Sequence, residues 1–258
     1  MESVFSISGD TATPSQFAGG PWNALLQHGS APASLIARIC ERIPTLVPMR
    51  VARLTIDLKR PVPLAPLAIR SRVVREGKLI QLSEVTLSAG DIEVVHASIL
   101  KVRVTSLALP PAAAIRPLDV PLPDACQKME VWADSNPFVT GMSMRIARGS
   151  PLTHGPSAIW FRADRPIVAG EQISALMRAV VAADFSNGTS AVLEFGTWTF
   201  MNADLTMNLA RDPVGEWILL DAESWLAPNG SGIAFANLAD IHGYLGRSVQ
   251  SLLVQRPG

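Results

Sequence analysis

The stretch that decides the fold is Glu171–Asp184, which reads EQISALMRAVVAAD. Its apolar side chains recur at the spacing of an α-helix, and most other positions in its second half are alanine, so the helix is apolar on most sides. The stripe consists of Ile173, Leu176, Met177, Val180 and Val181. The pattern therefore predicts a buried helix that ends on a single carboxylate, Asp184.

The segments on either side of this helix are typical of β-strands. A short apolar stretch precedes the helix and longer ones follow it, separated by residues that favour turns. We predict these strands at Ala158–Ala163 and near Leu193–Leu209, Glu216–Trp225, Gly232–Leu238 and Ser248–Val254.

The first half of the chain repeats the same order. A helix is predicted at Ser34–Ile43, because Leu35, Ile39 and Ile43 share one stripe and a proline follows. Four strands are predicted after this helix, at Val51–Leu58, Leu67–Arg75, Leu79–Leu87 and Ile92–Val104.

Short sequence echoes support a duplication. Leu54-Thr55 parallels Leu205-Thr206, and Ser98-Ile99-Leu100 parallels Ser251-Leu252-Leu253. One helix followed by an antiparallel meander is an α+β unit. Two such units predict a pseudo-dimer whose sheets pair edge to edge, which also removes an exposed strand edge.

The two copies are separated by a proline-rich stretch. Residues Leu107 to Pro123 have the composition of an extended linker. We therefore predict an N-terminal domain at 1–106, a linker at 107–130 and a C-terminal domain at 131–258.

The composition indicates an ordered, globular protein. Apolar residues make up 48% and charged residues 17% of the 258 positions, which excludes a disordered or fibrous chain. The 22 basic residues balance the 22 acidic ones, so no net field attracts nucleic acid or an anionic membrane. We expect neither as a partner.

The termini and cysteines predict a cytoplasmic location. The N-terminal residues lack the features of a secretory signal, and no run of about 18 uncharged apolar residues predicts a membrane span. Cys40 lies on an apolar helical stripe and is expected to be a core residue, and Cys126 is too distant in sequence to form a zinc pattern with it. His96, His154 and His242 show no metal-ligand spacing, so no metal or cofactor is expected.

Several short motifs resemble those of the acyl-CoA thioesterase II family, whose members are fused double-hotdog enzymes. They occur in the family's order along nearly the whole chain. They are His28-Gly29-Ser30 at a helix start, Arg60-Pro61 after a strand, Ile159-Trp160-Phe161-Arg162, Ala183-Asp184-Phe185, Glu216-Trp217-Ile218-Leu219 and Ser248-Val249-Gln250.

The resemblance implies a double hotdog fold, in which each of two fused domains wraps an antiparallel sheet around a long helix. It also implies a catalytic group of an Asp, a Ser or Thr, and a Gln that together activate water. These positions fall on Asp184, Asn202 and Gln250, and the backbone N–H of Gly29 is implied to polarise the thioester oxygen. Asn202 departs from the family pattern because it has no hydroxyl.

The chemistry of these residue types fits thioester hydrolysis. A carboxylate can accept the proton of the attacking water, and an amide side chain can orient that water without carrying charge. By the sequence echoes, Gln250 corresponds to Ala97 and Asn202 to a position near Val51. The first half therefore carries apolar residues at these positions, which predicts one complete site in the chain.

Each candidate residue also has a purely structural explanation. Asp184 can end its helix in an Asx turn, Gln250 can lie on a solvent-facing strand, and Gly29 can belong to an ordinary loop. His28, beside Gly29, is an alternative base but is more often a cap or surface residue in such a position.

The leading hypothesis is hydrolysis of an acyl-CoA to a free acid and CoA, in a protein that forms a homo-oligomer. One alternative is a non-catalytic protein that binds acyl-CoA or lipid. A less favoured alternative is an enoyl-CoA hydratase or dehydratase, which usually pairs an Asp with a His, and no His lies close to Asp184 in the sequence. The sequence contains no Gly-x-Ser-x-Gly motif and no phosphate-binding glycine-rich loop.

Overall fold

The structure is a computed structural model that describes residues 1–21, 23–113, 115–130, 136–150 and 154–256. Among these residues it contains fourteen strands in one sheet and three α-helices. The helices are α1 (Ser30–Arg42), α2 (Ala175–Asp184) and α3 (Ser186–Thr189). The strands are β1 (Phe5–Ser8), β2 (Thr11–Pro14), β3 (Met49–Leu58), β4 (Leu67–Arg75), β5 (Ile80–Ala89), β6 (Ile92–Arg103), β7 (Gln127–Met129), β8 (Met142–Arg148), β9 (Ser157–Ala163), β10 (Thr199–Asn202), β11 (Asp204–Leu209), β12 (Ile218–Leu226), β13 (Ser231–Asp240) and β14 (Gly243–Gln255).

The strands form one continuous antiparallel path. Its order is β1-β2-β4-β5-β6-β3-β11-β14-β13-β12-β9-β8-β7, and β10 also pairs with β14. The β4-β5-β6-β3 order on one side is mirrored by β12-β13-β14-β11 on the other. The two halves meet where β3 pairs with β11, and there Thr206 Oγ1 donates to Thr55 Oγ1 at 3.2 Å.

The helices lie against the sheet and against each other. α1 contacts α2 and strands β3, β5 and β6, whereas α2 contacts β9, β11, β12 and β13. The side chains between these layers form the principal core, which includes Leu35, Ile36, Val180 and Val181. None of the helices in the described residues is long and apolar enough to cross a membrane.

The helices agree with the sequence prediction in position but differ in length. α1 begins at Ser30 rather than Ser34, because the first turn tolerates Pro32, whose missing N–H would be unpaired there in any case. α2 begins at Ala175 rather than Glu171, because the side chain of Ser174 accepts a hydrogen bond from the N–H of Met177 and caps the helix.

Several strands were not predicted from the sequence. β1, β2 and β8 are short and weakly patterned, and β7 lies within the range that we predicted as linker. The stretch predicted as one strand near Leu193–Leu209 contains two, β10 and β11, separated at Ala203. The predicted start of the second domain, residue 131, lies outside the described residues.

The strand register corrects the internal alignment of the two halves. In the first half Thr55 pairs with Ser98, and in the second Thr206 pairs with Val249. The bulge between Leu87 and Ser88 has its counterpart between Leu238 and Ala239, and the same offset relates Thr55 to Thr206, so these two pairs are equivalent. Ser98 therefore corresponds to Val249.

It follows that Gln250 corresponds to Ile99 and not to Ala97, so the predicted echo was wrong by two residues. Strand side chains alternate with period two, and the shift therefore keeps the same face of the sheet. Ile99 and Ala97 are both buried and apolar. The counterpart of Asn202 is Val51, as expected.

Candidate active site

Asp184 ends α2 and is held against the start of α1. The residue is only 4% exposed, and its carboxylate accepts hydrogen bonds on both oxygens. Ser30 Oγ donates to Oδ2 at 2.9 Å, and Asn202 Nδ2 donates to Oδ1 at 3.0 Å. A carboxylate has about four lone-pair positions, so these bonds leave room for another donor such as a water.

Gly29 lies directly against this carboxylate. A Cβ atom at position 29 would be 2.7 Å from Oδ1 and 2.8 Å from Oδ2 of Asp184, closer than real Cβ contacts. The backbone angle φ of Gly29 is −55°, which any residue can adopt, so the glycine is required for space and not for conformation. Its N–H donates to no residue in the described part of the chain, as is usual at a helix start.

Gln250 contacts the main chain of this site rather than its carboxylate. Its Nε2 donates to the carbonyl oxygen of Asp184 at 3.0 Å, and its Oε1 accepts from the N–H of Asn187 at 3.2 Å. The side chain is fully buried. Gln250 therefore fixes the turn between α2 and α3, on which the position of the Asp184 carboxylate depends.

Asn202 lies at the end of β10, and its Nδ2 also reaches the carbonyl oxygen of Asp204 at 3.4 Å. Its Oδ1 makes no hydrogen bond to the described residues and can accept one from a water. The hydroxyl that is absent at position 202 is present at Ser30, which donates to the same carboxylate. In the sequence, the Gly29-Ser30 motif at the helix start pointed to Ser30. The contact of Ser30 with Asp184 could not be predicted, because it depends on the packing of α1 against α2.

His28 is also brought to Asp184 by the fold. Its Nδ1 is 3.4 Å from Asp184 Oδ2 and also accepts a hydrogen bond from the N–H of Ser30 at 3.1 Å. The imidazole packs on Phe138 and Phe185, with ring centroids 5.0 and 4.8 Å away. With a proton, Nδ1 can donate to the Asp184 carboxylate; without one, it can accept from the N–H of Ser30. The two hydrogen bonds therefore exclude each other.

The cysteines contribute no comparable group. Burial raises the pKa of the Cys40 thiol to about 12, consistent with a core residue. At the other end of the helix pair, Ser174 Oγ donates to Glu41 Oε2 at 2.6 Å, which mirrors the bond from Ser30 to Asp184. Within the described residues no group of three His, Cys, Asp or Glu side chains is arranged to hold a metal ion.

The arrangement is a carboxylate between two helix ends, close to a free N–H group and a histidine. Two family models match the chain. The model of the acyl-CoA thioesterase N-terminal domain matches residues 18–102, and that of the C-terminal domain matches residues 121–254.

The chain belongs to the acyl-CoA thioesterase family.

Solved structures support the fold of this family member. A hotdog-fold protein of unknown function from Alicyclobacillus acidocaldarius is 17% identical, with a TM-score of 0.78 over 98% of this chain and 96% of that one. Acyl-CoA thioesterase II TesB2 from Mycobacterium marinum is 15% identical, with a TM-score of 0.67 over 96% and 94%.

The TesB protein of Mycobacterium avium subspecies paratuberculosis is also 15% identical, with a TM-score of 0.68 over 97% of this chain and 95% of that one. At these identities the likeness concerns the fold, and the fold is that of hotdog proteins. No curated protein sequence matches the chain.

Proposed function

We propose that this protein is a double hotdog that hydrolyses acyl-CoA thioesters at Asp184. The observation that carries the proposal is the buried Asp184 carboxylate, which Ser30 and Asn202 hold against Gly29, whose N–H makes no hydrogen bond to the described residues. The mirrored strand order and the paired helices support two fused hotdog units.

In the proposed reaction Asp184 accepts a proton from a water while the water oxygen attacks the thioester carbonyl carbon. The N–H of Gly29 donates to the developing oxyanion, assisted by the partial positive charge at the start of α1. Collapse of the tetrahedral intermediate breaks the C–S bond and releases the CoA thiolate. The thiolate takes the proton back from Asp184, leaving a free acid and CoA.

The remaining residues position this group. Ser30 and Asn202 hold the two oxygens of the carboxylate, and the free Oδ1 of Asn202 can orient the attacking water. Gln250 acts through the main chain of Asp184 and Asn187, and this contact replaces the direct water contact expected from the sequence. The aromatic rings around His28 limit the access of bulk water.

Replacement of Asp184 by Asn tests the proposal. General-base catalysis contributes typically about 10²–10⁴-fold, and we expect thiol release from acyl-CoA to fall by at least about 100-fold. A chromogenic thiol reagent measures this with short, medium and long acyl chains. Because the amide keeps the shape of the carboxylate, we expect the variant to fold, and circular dichroism checks this.

Other outcomes would change the proposed function. Full activity of Asp184→Asn would show that another residue accepts the proton, and His28 would be the next residue to replace. Tight acyl-CoA binding without turnover in the wild type would support the non-catalytic alternative, which is favoured by the contacts of Gln250 with the main chain rather than with the Asp184 carboxylate.

The hydratase alternative gains support from the distance of 3.4 Å between His28 Nδ1 and Asp184 Oδ2. Such enzymes pair an Asp with a His, and the fold brings together two residues that are far apart in sequence. Loss of the ultraviolet absorbance of an enoyl-CoA would detect hydration. Homo-oligomerisation stays a prediction, and light scattering of the purified protein measures it.

A further inference from the structure

The outer face of the sheet differs between the two halves of the chain. Val249 of β14 and Phe235 of β13 are paired there, and Val249 is 39% exposed. By the strand register, their counterparts in the first half are Ser98 and Glu84, which pair in the same way. Glu84 binds Arg72 at 2.6 Å, so the first half presents the polar surface that is usual for a solvated sheet face.

The apolar outer surface of the second half is covered only in part. The linker residues Leu118 and Val120 pack against the cluster that contains Trp160. Farther along the same face, Val249 remains open to solvent, and Leu253 of the same strand is 51% exposed. An apolar surface that is covered at one end and open at the other indicates a further partner.

Three rows of side chains cross this face from strand to strand. The central row consists of Thr55, Thr206, Val249 and Phe235. Two residues away along each strand lies a basic row, which consists of Arg53, Asn208, Arg247 and Asn237. Two residues away in the other direction lies an acidic row, which consists of Asp57, Asp204, Ser251 and Ile233. The two charged rows therefore flank the central row on opposite sides.

The charges of these rows are not neutralised within the chain. Among the described residues neither Arg53 nor Arg247 forms an ion pair, and neither Asp57 nor Asp204 does. Arg53 and Asp57 lie four positions apart on β3, which corresponds to about 13 Å and is too far for contact. Asp57 and Asp204 face each other directly across β3 and β11, and like charges in such a pair destabilise a sheet.

Neighbouring charges do not supply the missing partners. On the acidic side, Lys59 and His96 are both bound by Glu93, at 3.0 and 3.6 Å. On the basic side, Asp221 is bound by Arg148 at 2.6 Å. Each charged row is therefore open to a partner of opposite sign.

We propose that this face binds a second copy of the chain, related by a two-fold axis that runs along the central row. Such an axis turns the basic row of one copy onto the acidic row of the other. Arg53 of each copy then meets the partner's Asp57, and Arg247 lies next to the partner's Asp204. Facing sheets pack about 10 Å apart, a distance that an arginine and an aspartate side chain bridge together. The two Val249 side chains pack against each other at the centre.

The contact is limited to the central strands of the sheet. β12 lies two strands beyond β14, and a twist of about 20–25° per strand turns it away from the partner. Glu223, which continues the central row on β12, therefore avoids its own copy, and its carboxylate accepts from Trp225 Nε1 at 2.7 Å. The interface gives the predicted homo-oligomer a defined face, and it does not depend on the proposed hydrolysis.

Sedimentation velocity of the purified full-length protein tests the interface. We expect the wild type to be a dimer at about 100 µM. Val249→Asp places like charges opposite each other on the axis and should raise the dimer dissociation constant at least about tenfold. Val74→Asp is the matched control, because Val74 is a 51% exposed valine of β4 outside the three rows, and it should leave the constant unchanged. Circular dichroism verifies the folding of both variants.

An exchange of charges tests the two-fold axis. Arg53→Glu and Asp57→Arg should each weaken the dimer at least about tenfold, because each creates two like-charge contacts across the axis. A mixture of the two variants should form a heterodimer with the affinity of the wild type, since every contact then joins opposite charges. A monomeric wild type, unchanged dimerisation of Val249→Asp, or a mixture that stays dissociated would overturn the proposal.

Discussion

At the scale of single residues, the contact between Gly29 and Asp184 limits what the site can tolerate. The carboxylate occupies the space that any side chain at position 29 would need. The backbone of Gly29 and the carboxylate of Asp184 are consequently held close together without an intervening side chain. Ser30, the next residue, adds the hydroxyl that Asn202 lacks.

Gly29→Ala should therefore lower activity at least tenfold and destabilise the fold by about 1–3 kcal/mol, the usual effect of overpacking. The backbone itself is not strained by alanine, since φ is −55°. Steady-state thiol release and urea unfolding measure the two effects.

Gly188→Ala is the matched control for Gly29→Ala. Gly188 lies in α3, and its added Cβ would meet nothing closer than a ring atom of Phe195 at 4.0 Å. We expect that variant to keep wild-type activity. Equal behaviour of the two variants would contradict the close packing of Gly29 on Asp184.

At the scale of elements, α1 and the segment just before α2 are joined by an ion pair. Arg38 donates to Glu171 through two nitrogens, at 2.6 and 3.0 Å, and Arg42 joins from the next turn. The hydrogen bond from Arg38 holds the pKa of Glu171 below its ordinary value of 4.5. The stabilisation is therefore fully present above pH 4.5 and is lost as the pH falls through the lowered folded-state value.

Glu171→Gln should destabilise the protein by about 1 kcal/mol at neutral pH, because the pair is partly buried and bidentate. The difference between wild type and variant should shrink as the pH falls below 4.5. Urea unfolding across this range measures it. Glu130→Gln, at an exposed position, is the control and should show no such convergence. A difference that stays constant with pH would rule out the ion pair as its cause.

At the scale of the whole molecule, the two halves share one sheet and one site. The β3–β11 pairing joins the sheets, and α1 packs on α2. Neither half by itself would cover its central strand edge, and neither would contain both Gly29 and Asp184. The predicted domains 1–106 and 131–258 should therefore depend on each other.

Separate expression of residues 1–106 and 107–258 tests this dependence. Each fragment alone should aggregate or lack a cooperative thermal transition, because a free strand edge and an apolar helix face become exposed. Co-expression should give a complex that copurifies through a tag on one fragment. A fragment that melts alone at the temperature of the full chain would contradict the prediction.

The sequence by itself determined the elements that carry strong periodicity. The apolar stripes of α1 and α2 are readable because a buried helix face repeats every three to four residues. β4 was predicted with its observed limits, since Pro and Gly residues bound it. The resemblance to family motifs also pointed to Asp184, Asn202 and Gly29, which the fold brings together.

Only the tertiary structure decided which of these residues touch. His28 and Ser30 reach Asp184 across more than half of the chain, because α1 begins where α2 ends. No local sequence pattern predicts these contacts, since side-chain periodicity describes a single helix or strand and not the element that packs against it. The two-residue error in the position equivalent to Gln250 has the same origin: alternation fixes the face of a strand, whereas the register comes from pairing with the next strand.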